Sequence, residues 1–130
     1  MAYLLDTDIV IDFLGGDLPT KQLVDPLADT GIAIGMITYM ETYQGILEHS
    51  DPIDAQAEFD AFLKTARLLA FSPEIARRCA GLRKDLKQRG KRVRPRALDL
   101  ITAATALCHN LTLVTRNTAD YDDIPGLTLL

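Results

Sequence analysis

Apolar and polar positions alternate in short blocks along this chain. Tyr3-Leu4-Leu5 is an apolar run that stops at Asp6, the pattern of a buried strand delivering a carboxylate to its C-terminal edge. A short helix is predicted from about Asp8 to Leu14, halted by Gly15-Gly16. Ile32 to Met36, with Gly31 before it, predicts a second strand, and Thr38 opens a helix running to about Glu48. A longer helix spans roughly Pro52 to Ala66, with Ala57, Phe59, Phe62 and Leu63 on its apolar face, and Leu68 to Phe71 reads as a third strand. Ser72 and Pro73 are N-cap and first-position signals for a helix lasting to about Gln88. Pro95 starts another helix, Ala97 to Cys108, with Asn110 suited to its end. Leu111 to Val114 is a strand and Leu127 to Leu130 a last one. Strands alternating with helices imply an α/β fold, a parallel sheet covered on both faces. No repeat or linker interrupts the pattern, so residues 1–130 read as a single domain.

Composition narrows the classes. With 130 residues and 48% hydrophobic content the chain can bury a sizeable core. The absence of Trp argues against a base-stacking platform. No apolar stretch approaches the roughly 18–20 residues of a membrane span, and no basic region followed by a long apolar segment opens the chain. Cys79 and Cys108 lack CxxC spacing and sit in helical apolar patterns, as reduced core thiols do. These features place the expected compartment in the cytoplasm, away from membranes.

A net charge of −4 hides an asymmetry. Residues 1–60 carry Lys21 as their single base against twelve acids, whereas residues 77–96 carry ten of the fourteen bases and one acid, Asp85. The basic run could be a solvated helix face. It continues, however, through Arg89, Lys91, Arg92, Arg94 and Arg96 to end three residues before Asp99, which favours contact with a polyanion such as RNA.

Four acids stand at strand ends or at the helix starts beside them: Asp6, Glu41, Asp99 and Asp120. Three have ordinary explanations. Glu41 follows Thr38 at capping-box spacing, Asp99 suits the dipole of an alanine-rich helix start, and Asp120 fits a polar turn. Asp6 has none, because a carboxylate against apolar surface loses hydration without compensation. In a parallel sheet all four positions lie on one side and can converge. Carboxylates without His or Cys select hard cations such as Mg²⁺ or Mn²⁺, and such a site suits phosphoryl chemistry, with one ion or two about 4 Å apart. His49 and His109 fall outside this pattern and read as surface or helix-end residues.

Four segments together carry a resemblance: Leu4-Leu5-Asp6-Thr7-Asp8, Ile37-Thr38-Tyr39-Met40-Glu41, Asp99-Leu100-Ile101-Thr102-Ala103-Ala104-Thr105-Ala106, and Leu113-Val114-Thr115-Arg116-Asn117-Thr118-Ala119-Asp120-Tyr121. In order, spacing and total length the chain resembles a PIN-domain ribonuclease, in particular a VapC-type toxin of a type II toxin–antitoxin pair. The resemblance implies a three-layer α/β/α domain with a central, mostly parallel sheet. It also implies RNA hydrolysis with Mg²⁺ or Mn²⁺, a homodimer, and inhibition by a cognate antitoxin. Carried over, Asp6 and Asp99 are the principal metal ligands, and Glu41 and Asp120 complete the acidic set. Thr115 and Asn117, with Thr7 and Thr38, would hold the carboxylates in position. Arg116 joins the basic run as a candidate for RNA phosphate contact, on charge rather than on the motif.

Two positions depart from the resemblance. Asp8 stands where Asn is common, as an added ligand or a helix cap. Tyr121 stands where Phe is usual, and is expected to serve as a packing ring alone. Asp6-Thr7-Asp8-Ile9-Val10 also resembles the nucleophile motif of haloacid-dehalogenase-like phosphatases, with Asp6 as nucleophile and Asp122-Asp123 as the late acidic pair. That alternative leaves Glu41 and Asp99 unexplained. A third reading keeps the fold as a non-catalytic binding module. For the antitoxin, the helix after Asp51 is expected to offer Phe59, Phe62 and Leu63 to a groove, unless these pack in the core.

Overall fold

The computed structural model describes residues 2–130. Four strands, β1 (Tyr3–Leu5), β2 (Ile32–Gly35), β3 (Ala66–Leu69) and β4 (Thr112–Val114), form one sheet in the order β3-β2-β1-β4. Every pairing is parallel, with Tyr3 opposite Ile32 on one side and Thr112 on the other. Helices α1 (Thr7–Leu14), α2 (Leu18–Ala28), α3 (Met36–Leu47), α4 (Pro52–Leu63), α5 (Pro73–Gln88) and α6 (Ala97–Cys108) make the connections.

Strand alternation divides the core between two faces. Leu4, Ala33 and Leu113 pack with Ile75, Leu82 and Leu86 of α5 and with Leu100, Ala103 and Ala104 of α6. Leu5, Ile34 and Val114 pack with Ile9 and Val10 of α1, Val24 of α2, Ile46 of α3, and Phe59 and Phe62 of α4. The result is the three-layer α/β/α arrangement. Strands buried on both faces read as unbroken apolar runs, and this is why β1 and β4 were legible in the sequence.

The topology also sets where chemistry can gather. The chain leaves β1 toward β2 and β3, then returns to place β4 on the other side of β1. Connections therefore diverge beyond the carboxyl ends of β1 and β4, the switch point at which open parallel sheets form a crevice. Asp6 and Thr115 are the residues immediately after those two strands.

Several boundaries differ from the sequence reading. The sequence reading assigns no element between Gly16 and Gly31, where the structure has helix α2. Its start is a regular cap, with Asp17 accepting from the Thr20 backbone at 3.2 Å, and Pro26 lies in its last turn. The helix α4 ends at Leu63 rather than near Ala66. Thr65 turns the chain by donating its hydroxyl to the Phe62 carbonyl at 2.8 Å, and Ala66 already pairs with Ile32. The second strand ends at Gly35, which caps α3 through its backbone alone, so the Thr38–Glu41 capping box does not exist and both residues lie inside the helix. Leu127 to Leu130 forms a single parallel bridge, Leu113 to Leu129, not a full strand. The caps at Ser72 and beyond Cys108 match expectation, Asn110 taking a φ of 54° after α6.

Candidate active site

Asp6 is 8% exposed and serves as N-cap of α1. Its Oδ1 accepts the Thr7 backbone N–H at 2.9 Å. Its Oδ2 accepts the Thr115 hydroxyl at 2.9 Å and lies 3.1 Å from the Tyr121 hydroxyl. Burial pushes the Asp6 carboxyl above the usual carboxylate range and the Asp8 charge adds to this, while the bonds from Thr115, Thr7 and Tyr121 pull the other way. The site thus holds a carboxylate whose charged form burial disfavours.

Asp99 projects from the first turn of α6, where a 3-10 turn, Arg94–Arg96, leads into the helix. Its Oδ1 lies 3.3 Å from the same Tyr121 hydroxyl. Burial raises its carboxyl too, with the charges of Asp120 and Glu41 in the same direction and Tyr121 and Arg96 opposing. Asp120 and Glu41 thus lie within electrostatic reach of Asp99, and Asp6 meets Asp99 across the Tyr121 hydroxyl.

Glu41 is half-buried on α3, with Oε1 accepting the Thr7 hydroxyl at 2.7 Å. Thr7 Oγ1 is also 3.1 Å from Thr38 Oγ1. A hydroxyl has one proton; the shorter bond takes it, and the Thr38 hydroxyl supplies the proton of the other. Thr7 and Thr38 thus orient Glu41, a more specific role than the cap that spacing suggested. Asp120 is exposed at the rim in a 3-10 turn, Thr118–Asp120. Asn117 reaches the site through its backbone, donating to Thr115 Oγ1 at 3.1 Å.

Asp8 and Arg116 form a separate clamp. Asp8, in the first turn of α1, accepts the Ile9 N–H on Oδ1 at 2.8 Å and the Arg116 N–H on Oδ2 at 3.0 Å, so it is not the helix cap but anchors the segment after β4. The Arg116 guanidinium pairs with Asp12 and Thr20 and stands 3.6 Å from Asp17. Arg116 is therefore already engaged by acids of α1 and the α2 start, which the charge pattern did not foretell.

The basic run divides in the same way. Arg96 grips Asp123 with both forks, at 2.9 and 2.7 Å, and donates to the Asp120 carbonyl at 2.7 Å. Lys91 adds a 2.9 Å ion pair to Asp123, and Arg89 donates to the Asp123 carbonyl at 3.2 Å. Arg96 and, after it, Lys91 hold the Asp123 carboxyl well below its usual range. Asp123 is thus committed to structure and does not act as part of a phosphatase acidic pair. Arg92 and Arg94 stay exposed, lining with Arg83 and Lys87 a basic depression of about 390 Å³.

Among the described residues no three acidic, His or Cys side chains converge into a ready-made cage. The donor set nonetheless fits a hydrated hard cation, which is held by one or two carboxylates and keeps several waters. Asp6 Oδ1 retains one lone pair beyond its bond to Thr7, and Asp99 Oδ2 is outside the Tyr121 bond. His49 and His109 are exposed, as expected.

Two expectations about aromatic residues need correction. Phe59 and Phe62 are buried in the core and stack on each other, so they do not line a groove. The accessible apolar groove lies beside them, about 230 Å³ between α1, α3 and α4, lined by Ile11, Leu14, Ile46 and Ala55. Tyr121 is more than a packing ring, since its hydroxyl meets two of the acids. No spacing rule could have shown this, because only the fold brings residue 121 beneath residues 6 and 99.

Comparison with known proteins agrees with this architecture. The PIN domain family matches residues 3–127. Ribonuclease VapC2 of Rickettsia felis is 30% identical over 131 residues, covering 99% of this chain and 96% of its own. The solved structure of VapBC2 from Rickettsia felis, bound to a DNA fragment from their promoter, superposes with a TM-score of 0.88 at 29% identity, covering 100% of this chain and 98% of that one. A toxin–antitoxin complex from Klebsiella pneumoniae gives 0.74 at 32% identity, covering 98% and 96%.

Proposed function

The chain belongs to the PIN-domain family, among its VapC-type toxin nucleases, and from that premise we propose that it hydrolyses RNA phosphodiester bonds with Mg²⁺ or Mn²⁺ held by Asp6 and Asp99. The observation that carries the reading is the approach of the buried Asp6 carboxylate and the half-buried Asp99 carboxylate to one hydroxyl, at 3.1 and 3.3 Å, beyond the carboxyl end of β1. Burial raises both carboxyls, so a cation beside them would favour their charged forms. A bound divalent ion supplies activation of water and neutralisation of the scissile phosphate.

The chain's own groups do the remaining work. Thr115 and the Thr7 backbone fix Asp6, and Thr7 and Thr38 fix Glu41 so that Oε2 can accept a proton from an attacking water. Asp120 extends the acidic rim. Arg92 and Arg94 supply phosphate contacts at the basic depression, while Arg89, Lys91, Arg96 and Arg116 act mainly by holding the surrounding loops. Residues 1–130 act as one nuclease unit, in the cytoplasm, where the free thiols of Cys79 and Cys108 stay reduced.

The partner we propose is a cognate antitoxin, as in the toxin–antitoxin complex from Klebsiella pneumoniae. Its apolar segment would enter the groove between α1, α3 and α4, where Thr42 Oγ1 is buried without a partner. A homodimer would cover the exposed stripe Met36, Met40, Tyr43 and Leu47 on α3.

The test is cleavage of total cellular RNA by wild type and Asp6→Asn, with EDTA, Mg²⁺ or Mn²⁺. Cleavage should require the metal and vanish in the variant. Equal traces from both proteins, or full activity in EDTA, would refute the reading.

A further inference from the structure

We propose that the Tyr121 hydroxyl is a positioning group for the metal: it ties Asp6 Oδ2 to Asp99 Oδ1 and so presents Asp6 Oδ1 and Asp99 Oδ2 to the cation. This rests on the reading of Asp6 and Asp99 as the ligands.

The ring of Tyr121 is 1% exposed and packs in the core with Leu4, Leu100 and Leu113, so the hydroxyl cannot swing to solvent. Its surroundings are held as well. The Tyr121 N–H donates to the Thr118 carbonyl at 3.0 Å, and the flanking residues are gripped through the Asp120 carbonyl and the Asp123 carboxylate by Arg96. A phenol carries its proton at neutral pH, so the hydroxyl stands between the two acids as a donor.

Counting lone pairs gives the consequence. Oδ2 of Asp6 receives Thr115 at 2.9 Å and Tyr121 at 3.1 Å, which uses both of its in-plane sites. Oδ1 receives Thr7 at 2.9 Å and keeps one site. On Asp99 the Tyr121 contact falls on Oδ1, leaving Oδ2 as the oxygen directed elsewhere. The single phenolic proton lies nearer Asp6, at 3.1 Å, and reaches Asp99 as the weaker arm of a bifurcated bond at 3.3 Å, so one donor stands between the two carboxylates. Phenylalanine would fill the same space and do none of this.

The experiment compares wild type, Tyr121→Phe, Tyr121→Leu and Asp6→Asn by Mn²⁺ titration calorimetry without RNA. Far-UV circular dichroism checks the fold, and cleavage is followed against Mn²⁺ concentration. Tyr121→Phe should stay folded yet bind Mn²⁺ about 10-fold or more weakly, with its cleavage rate recovering toward wild type as Mn²⁺ is raised. A packing role alone predicts that Phe restores wild-type affinity while Leu does not. That result, with Asp6→Asn losing the metal, would overturn the Tyr121 proposal and leave the metal site standing. Equal Mn²⁺ binding by wild type and Asp6→Asn would instead remove the site and the proposal together.

Discussion

Thr115 Oγ1 lies 2.9 Å from Asp6 Oδ2, although 109 positions separate the two residues in the chain. The contact exists because β4 lies directly beside β1, so the first residues beyond the two strands are neighbours. Through it the neighbouring strand helps fix the orientation of the buried carboxylate.

Removing that hydroxyl should therefore act on chemistry more than on folding. Thr115→Val keeps the side-chain shape and deletes one of the two donors on Oδ2. We expect cleavage to fall by roughly 10–100-fold and Thr115→Ser to retain most of it. Initial rates on a fixed RNA substrate at saturating Mn²⁺ check both.

Asp99 should trade activity against stability. Its charge is disfavoured by burial and by Asp120 and Glu41, so Asp99→Asn removes an unfavourable charge while its carbonyl can still accept from Tyr121. The expected outcome is loss of cleavage together with an unchanged or higher thermal midpoint in metal-free buffer. A large drop in midpoint would show the carboxylate to be a structural need.

The Arg96–Asp123 pair determines the acid sensitivity of the loop after β4. The folded-state carboxyl of Asp123 lies below its ordinary value of 3.8. Its contribution is therefore fully present above that value and is lost as pH falls through it toward the lower folded value. Asp123→Asn should cost roughly 1–3 kcal/mol at pH 7, and the gap between the two proteins should narrow below about pH 4. Urea unfolding at pH 7, 4 and 3 measures it.

The basic residues should separate into two groups. Arg92→Ala and Arg94→Ala should weaken RNA binding with little effect on stability, each lowering the slope of log affinity against log salt by about 1. Arg96→Ala should instead lower the unfolding midpoint, since it strips Asp123 and the Asp120 carbonyl of their shared donor. Filter binding of catalytically inactive Asp6→Asn carrying each change, over a range of salt, distinguishes them.

Much of the fold was legible because burial on both faces writes itself into local composition. Leu4-Leu5 and Leu113-Val114 are apolar runs, Ser72-Pro73 is a helix start, and Asp6 was conspicuous as a charge ending such a run. The acids and Thr7, Thr38 and Thr115 were identifiable from their ordered motifs, since each motif sits where a strand delivers it. What stayed hidden depended on partners remote in sequence. The spacing of Thr38 and Glu41 suits a helix cap, yet Thr7 takes Glu41, because α1 packs on α3. The charge of Arg96 and Arg116 suits RNA, yet acids 27 and 104 positions or fewer away already hold them. Tyr121 looks like any core ring until its hydroxyl is found between Asp6 and Asp99. Sequence by itself determined which residues carry charge and which segments must be buried, since hydrophobicity and periodicity are local properties. Tertiary structure alone decided which lone pair meets which donor, because hydrogen bonds act over about 3 Å and only the folded sheet brings those atoms that close.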